Sequence, residues 1–137
     1  MPKVLVVANH SFDREAVKAQ LVGLGLCADD IWLTDDGEEA MNLLEAGFDI
    51  NLILVDGGFV RFGSAMCGGP TLIYKIRKKF SSDVPILILS ADPLIISRGK
   101  EAGANGAVDC HKIAEELGQV WPDIIRLCCS QERCVLI

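Results

Sequence analysis

The sequence predicts an α/β domain, a single doubly wound five-stranded parallel sheet with helices on both faces. Three observations predict it. Continuous apolar runs, the mark of strands buried on both faces, occur at 3–8 (KVLVVA), 51–56 (NLILVD) and 85–90 (PILILS), with shorter strands at 30–34 (DIWLT) and 107–110 (AVDC). Between them lie segments whose apolar residues recur at helical spacing. The connections are short, so strand and helix alternate five times, which demands a parallel sheet with right-handed crossovers.

Taken in order, 3–8 is the first strand. A loop of Asn9, His10 and Ser11 follows, with Ser11 placed as N-cap of a helix carrying Ala16, Val17, Leu21 and Leu24 and closed by Gly23 and Gly25. After the strand 30–34, Asp35-Asp36-Gly37 turns the chain into a helix over 38–46 that ends at Gly47. The strand 51–56 comes next. The segment 57–70 (GGFVRFGSAMCGGP) has five glycines and no clear period, so it reads as a long mobile loop. A helix over 71–80 places Leu72, Ile73 and Ile76 inward and a basic, solvated face of Lys75, Arg77, Lys78 and Lys79 outward. Pro93 opens a helix over 93–102, stopped by Gly103. A last helix spans 113–129, kinked at Pro122.

The 137 residues suffice for one domain with a real core and not for two. A formal charge of −6 and the lack of a basic run argue against nucleic-acid binding. No apolar stretch approaches a membrane span, and no signal-peptide pattern opens the chain, so a soluble cytoplasmic protein is expected. Six cysteines, at 27, 67, 110, 128, 129 and 134, form no CxxC pair; Cys27 and Cys110 read as small buried hydrophobes in a reducing compartment.

Asp56 ends a central strand at the edge where open α/β sheets place their ligand sites. Alone it reads equally as a turn cap. The first strand is not followed by Gly-x-Gly-x-x-Gly, there is no hydroxyl- and glycine-rich phosphate loop, and P-loop and nucleophile elbow are both missing.

From Lys3 to about Cys129 the chain resembles the receiver domain of two-component response regulators. The residues that carry the resemblance are Asp35-Asp36-Gly37-Glu38-Glu39-Ala40-Met41 at the second helix, Leu52-Ile53-Leu54-Val55-Asp56 at the third strand, Pro85-Ile86-Leu87-Ile88-Leu89-Ser90-Ala91 at the fourth, and Glu101-Ala102-Gly103-Ala104-Asn105-Gly106 before the fifth. It implies a flavodoxin-like receiver fold of strand order 2-1-3-4-5, with residues 1–130 as receiver and 131–137 as tail. It also implies Asp56 as phosphoacceptor, Ser90 as switch hydroxyl, and Asp56, Asn9 and the Gly58 carbonyl as weak ligands of Mg²⁺. A sensor histidine kinase or phosphotransfer protein would supply the phosphoryl group, and a downstream protein target would read the result, the domain itself being no enzyme beyond self-phosphorylation from a phosphodonor.

The chain departs from the family where charge is needed. The two acidic positions after the first strand are Ala8 and Asn9, the lysine position is Cys110 with His111 after it and Lys112 two residues late, and the aromatic switch position is Ala107. Two readings follow: an atypical receiver phosphorylated at Asp56, and a phosphorylation-independent pseudo-receiver that signals through protein contacts. A third, of another class, gathers His10, Asp56, Cys110 and His111 as a transition-metal site. The end of the chain, Cys134-Val135-Leu136-Ile137, has the form of a prenylation box, with Cys128 and Cys129 as candidate second lipid sites; only lipidation of Cys134 would bring the protein to a membrane. No output domain follows in this sequence, so the expectation is either a domain acting alone through protein contacts, a homodimer among them, or a domain excised from a larger protein.

Overall fold

A computed structural model describes residues 3–9, 14–80, 83–109, 112–113 and 115–119. Seven strands and four helices run through it in the order β1 (Val4–Val7), α1 (Arg14–Gly23), β2 (Ile31–Thr34), α2 (Gly37–Glu45), β3 (Leu52–Asp56), β4 (Phe59–Phe62), β5 (Ala65–Gly68), α3 (Gly69–Lys79), β6 (Ile86–Leu89), α4 (Pro93–Ala102) and β7 (Gly106–Val108). Residues 113 and 115–119 are also helical.

Five strands form one parallel sheet in the order β2-β1-β3-β6-β7. Once the inserted pair β4 and β5 is set aside, this is the expected order 2-1-3-4-5. The alternation of side chains along each strand divides the core into two layers. Val4, Val6, Ala8, Leu52, Leu54, Leu87 and Leu89 face Val17 and Leu21 of α1 together with Ile113 and Leu117. Leu5, Val7, Ile53, Val55, Ile86 and Ile88 face Ala40 and Met41 of α2, Leu72, Ile73 and Ile76 of α3, and Ile95 of α4. Because both faces are covered, the central strands carry no polar alternation: all four residues of β1 and of β6 are buried.

The segment 57–70 is not a mobile loop. It folds as a β-hairpin, β4 pairing antiparallel with β5, and its last two residues open α3. Gly63, at φ 64°, and Ser64 make the two-residue turn, and a positive φ at the first turn residue alone matches type II′. Val60 is fully buried, and Phe62 and Cys67 pack beside it, which ties the hairpin to the α2–α3 face of the sheet. The basic face of α3 is also more than a solvated surface. Arg77 reaches across to α4, its Nε donating to the Gly103 carbonyl (3.0 Å) and its Nη2 to Asn105 Oδ1 (2.8 Å). Cys27 is exposed, not packed, because it lies in the turn after Gly25 that leads to a short 3₁₀ helix at Ala28–Asp30. Cys110, Ser11, Pro122 and the tail, with Cys128, Cys129 and Cys134, lie outside the described residues. No helix among the described residues is long and apolar enough to cross a membrane.

Candidate functional site

The parallel sheet brings Asn9, Asp56 and Ser90 to one edge, at the carboxyl ends of β1, β3 and β6. Register fixes this: Val7 pairs with Val55, and Asp56 with Leu89. The Asp56 carboxylate is partly buried and is held at both oxygens. Oδ1 accepts from the Gly58 backbone N–H at 2.9 Å, and Oδ2 accepts from the Asn9 N–H at 3.3 Å. Ser90 stands beside Gly57, the residue just after β3, since a Cβ built on Gly57 would lie 2.9 Å from the Ser90 Cβ. Its Oγ accepts from the Asp92 N–H at 3.0 Å, at the entrance to α4, where Asp92 in turn caps the helix through Leu94 N–H.

The hairpin has its base on this edge. The Gly69 N–H donates to the Gly58 carbonyl at 2.9 Å, continuing the ladder of β4 and β5. Asn9 Nδ2 donates to the Phe59 carbonyl at 2.9 Å. A Cβ on Gly69 would collide with the Asp56 carbonyl oxygen, so only glycine lets the returning chain lie this close. At its other end the hairpin is tied to the start of α2. Asp36 Oδ1 accepts from Glu38 N–H (2.9 Å), capping the helix, and from Gly63 N–H (3.0 Å) in the hairpin turn. Arg61 Nη2 lies 3.3 Å from Asp35 Oδ1 and 3.7 Å from Asp36 Oδ2.

The sequence placed Asp36 in the turn into the second helix, but not its tie to Arg61 and Gly63 of the hairpin. The signal for that tie was the pairing of an acidic turn with an arginine in the inserted segment. Burial acts to raise the Asp36 pKa, but the Gly63 and Glu38 N–H groups and the Arg61 guanidinium outweigh it and hold the carboxyl below its ordinary 3.8. A lowered folded-state value means its stabilisation is complete above the ordinary value and is lost as pH falls through the lowered one. Asp36→Ala should cost about 1 kcal/mol as a lost helix cap, with the hairpin tether in addition. In urea unfolding, the gap between wild type and variant should be full at neutral pH, begin to shrink below the ordinary 3.8 and close as the pH falls through the lowered folded-state value.

Among the described residues the donor set around Asp56 fits a magnesium ion poorly, since that ion takes hard, anionic oxygens in a strict octahedron. Each Asp56 oxygen already accepts one backbone N–H. Ala8 is apolar and buried, the Asn9 amide is turned to donate to Phe59, and the Gly58 carbonyl already accepts from Gly69. Among the described residues no group of three or more His, Cys, Asp or Glu side chains could hold a metal ion. His10, Cys110 and His111 lie outside the described residues, so only Asp56 of that proposed set has a described position.

Solved structures share this architecture across nearly the whole chain. A chain from Chloroflexus aurantiacus assigned as a response regulator superimposes with a TM-score of 0.74 at 23% identity, covering 92% of this chain and 99% of its own. The receiver domain of NtrX from Brucella abortus gives 0.73 at 17% identity, covering 90% and 98%. This chain has the receiver fold. A third receiver, that of the sensor histidine kinase PA1611 from Pseudomonas aeruginosa, superimposes at 0.66 with 23% identity, covering 87% and 93%, and carries a magnesium ion in its active-site cleft. No protein-family model matches the sequence, and no curated protein does. Within the receiver fold the two-stranded hairpin lies between the third sheet strand and the helix that follows it, and its base closes on the carboxylate at the end of that strand.

Proposed function

We propose that this chain is a receiver-fold signalling module of phosphorelay-type signal transduction, in which the receiver surface acts through protein–protein contacts and Asp56 serves as a structural anchor. The observation that carries this reading is that each oxygen of the Asp56 carboxylate accepts a backbone N–H, from Gly58 and from Asn9, and that among the described residues no group of three or more His, Cys, Asp or Glu side chains gathers for a metal ion. A phosphoryl group approaching Asp56 brings several negative charges. Without a divalent cation the pocket offers them little compensation, and the lost metal is worth several kcal/mol of transition-state stabilisation. The partners implied are a sensor histidine kinase or phosphotransfer protein and a downstream protein target, in the cytoplasm. The domain is no enzyme in this reading.

The second reading, phosphorylation at Asp56 with Ser90 as switch hydroxyl and Asp56, Asn9 and Gly58 as weak magnesium ligands, is favoured by position. Asp56 ends the central strand, is partly exposed, and has Ser90 at the end of the neighbouring strand. Incubation with Mg²⁺ and acetyl phosphate, followed by intact mass, separates the two. The first reading expects no phosphoryl adduct. An adduct on the wild type that is missing from Asp56→Asn would overturn it in favour of the second.

A further inference from the structure

The hairpin leaves one strand edge open, and its hydrogen-bond parity can be read from the ladder. The Gly69 N–H bonds the Gly58 carbonyl. In an antiparallel pair such bonded positions recur every second residue, so Val60–Cys67 and Phe62–Ala65 exchange the ladder bonds. The alternate pairs, Phe59–Gly68 and Arg61–Met66, therefore point their backbone groups outward. On β4 these outward groups are occupied: the Phe59 carbonyl accepts from Asn9 Nδ2, and Arg61 lies on a backbone bridge to Asp36. On β5 no strand pairs with that edge among the described residues. Met66 offers both its N–H and its C=O there, and it is 55% exposed.

Natural proteins blunt such edges with lysine, proline or a covering element. β5 has neither residue. On the outer face the aromatic ring of Phe59 is 68% exposed, since its cross-strand partner is Gly68, which has no side chain to cover it. We infer that the β5 edge is a self-association surface, pairing antiparallel with β5 of a second copy about a two-fold axis centred on Met66.

Two features select a second copy as the occupant. An antiparallel strand centred on a residue whose N–H and C=O both point outward bonds that residue to its own symmetry mate twice, Met66 N–H to Met66 C=O in each direction. The charge pattern agrees. Each chain carries −6, but 57–70 has Arg61 as its one charged residue, and that guanidinium is held by Asp35 and Asp36, so the β5 edge itself brings no free charge to the axis. Two hairpins so paired form a four-stranded sheet with Met66 against Met66 across the axis and the Phe59 rings on the same outer face. A four-residue edge buries little surface, so the dimer is a transient one.

Sedimentation equilibrium of the full chain under reducing conditions, from micromolar to about 1 mM, tests this over the range in which a small interface of a few kcal/mol shows. The wild type should pass with concentration toward twice the 14.8 kDa chain mass. Met66→Pro removes the outward N–H, which the β4–β5 ladder does not use, and also fixes φ, so Met66→Lys, which keeps the backbone and puts a charge on the edge, is its companion. Each should weaken self-association by about tenfold or more. Met66 amide exchange in the wild type should slow as the dimer fills. A wild type that stays monomeric throughout, or a dimer undiminished in both variants, overturns the proposal.

Discussion

Gly69→Val should be among the most damaging single substitutions in this fold. The first atom beyond the backbone would collide with the Asp56 carbonyl oxygen, and the Gly57 Cα lies only 3.0 Å away. Both obstacles are main chain at the end of a central strand, so they cannot swing aside as a side-chain tip can. Overpacking of this kind costs about 1–3 kcal/mol even where side chains give way. Here the hairpin base must also part from the sheet, losing the Gly69–Gly58 bond. Against the 5–15 kcal/mol that holds a typical domain, the expected loss is about 3 kcal/mol or more. Gly68→Ala is the control. Its backbone, at φ −72° and ψ 153°, suits any residue, and a Cβ there would meet only the Pro70 Cδ at 3.9 Å. Urea unfolding should leave this second variant within about 1 kcal/mol of wild type. Equal losses in the two would show that the close approach of Gly69 to Asp56 is not what holds the hairpin.

Asn9→Asp should raise the magnesium affinity of the pocket well above that of the wild type. Asn9 already lies against Asp56, its N–H on Oδ2. Exchanging the amide for a carboxylate sets two hard anionic oxygens side by side, the donor type this ion selects. The variant gives up the bond from Nδ2 to the Phe59 carbonyl and gains a like-charge repulsion, so without metal it should be about 1–2 kcal/mol less stable. Bound metal reverses that sign, because an ion that binds only the folded state stabilises by RT ln(1 + [L]/Kd). In about 10 mM Mg²⁺ the variant should recover stability and the wild type should not, with affinity raised about tenfold or more. Equal responses in both proteins would mean that the wild-type pocket already holds the ion.

These two positions also show where the sequence could be read. The sheet was legible because β1, β3 and β6 are continuous aliphatic runs, a composition that only a strand covered on both faces tolerates. Pro93 and Gly103 bound α4 as expected. The hairpin was missed because five glycines in 57–70 weigh toward irregular chain. Its signal was present nonetheless: Val60, Phe62 and Cys67 are the inward residues of two short strands about a Gly-Ser turn. Exposed Phe59 at the start and exposed Met66 in the return strand break the apparent pattern. The edge positions of Asn9, Asp56 and Ser90 followed from strand ends, but the occupation of the Gly58 carbonyl did not. It depends on a bond to a residue eleven positions on, which no local pattern encodes. Cys27 was misplaced for a related reason, since the turn after Gly25 carries it out of the core that Leu26 enters.

The most direct test of Asp56 as an anchor is the response of backbone amide resonances to Mg²⁺ with beryllofluoride, which mimics an aspartyl phosphate. The anchor role predicts that Asn9, Asp56, Gly58 and Ser90 keep their shifts, because the carboxylate stays bonded to its two N–H groups. Saturable shifts at those residues that vanish in Asp56→Asn would contradict it and establish Asp56 as a working phosphoacceptor.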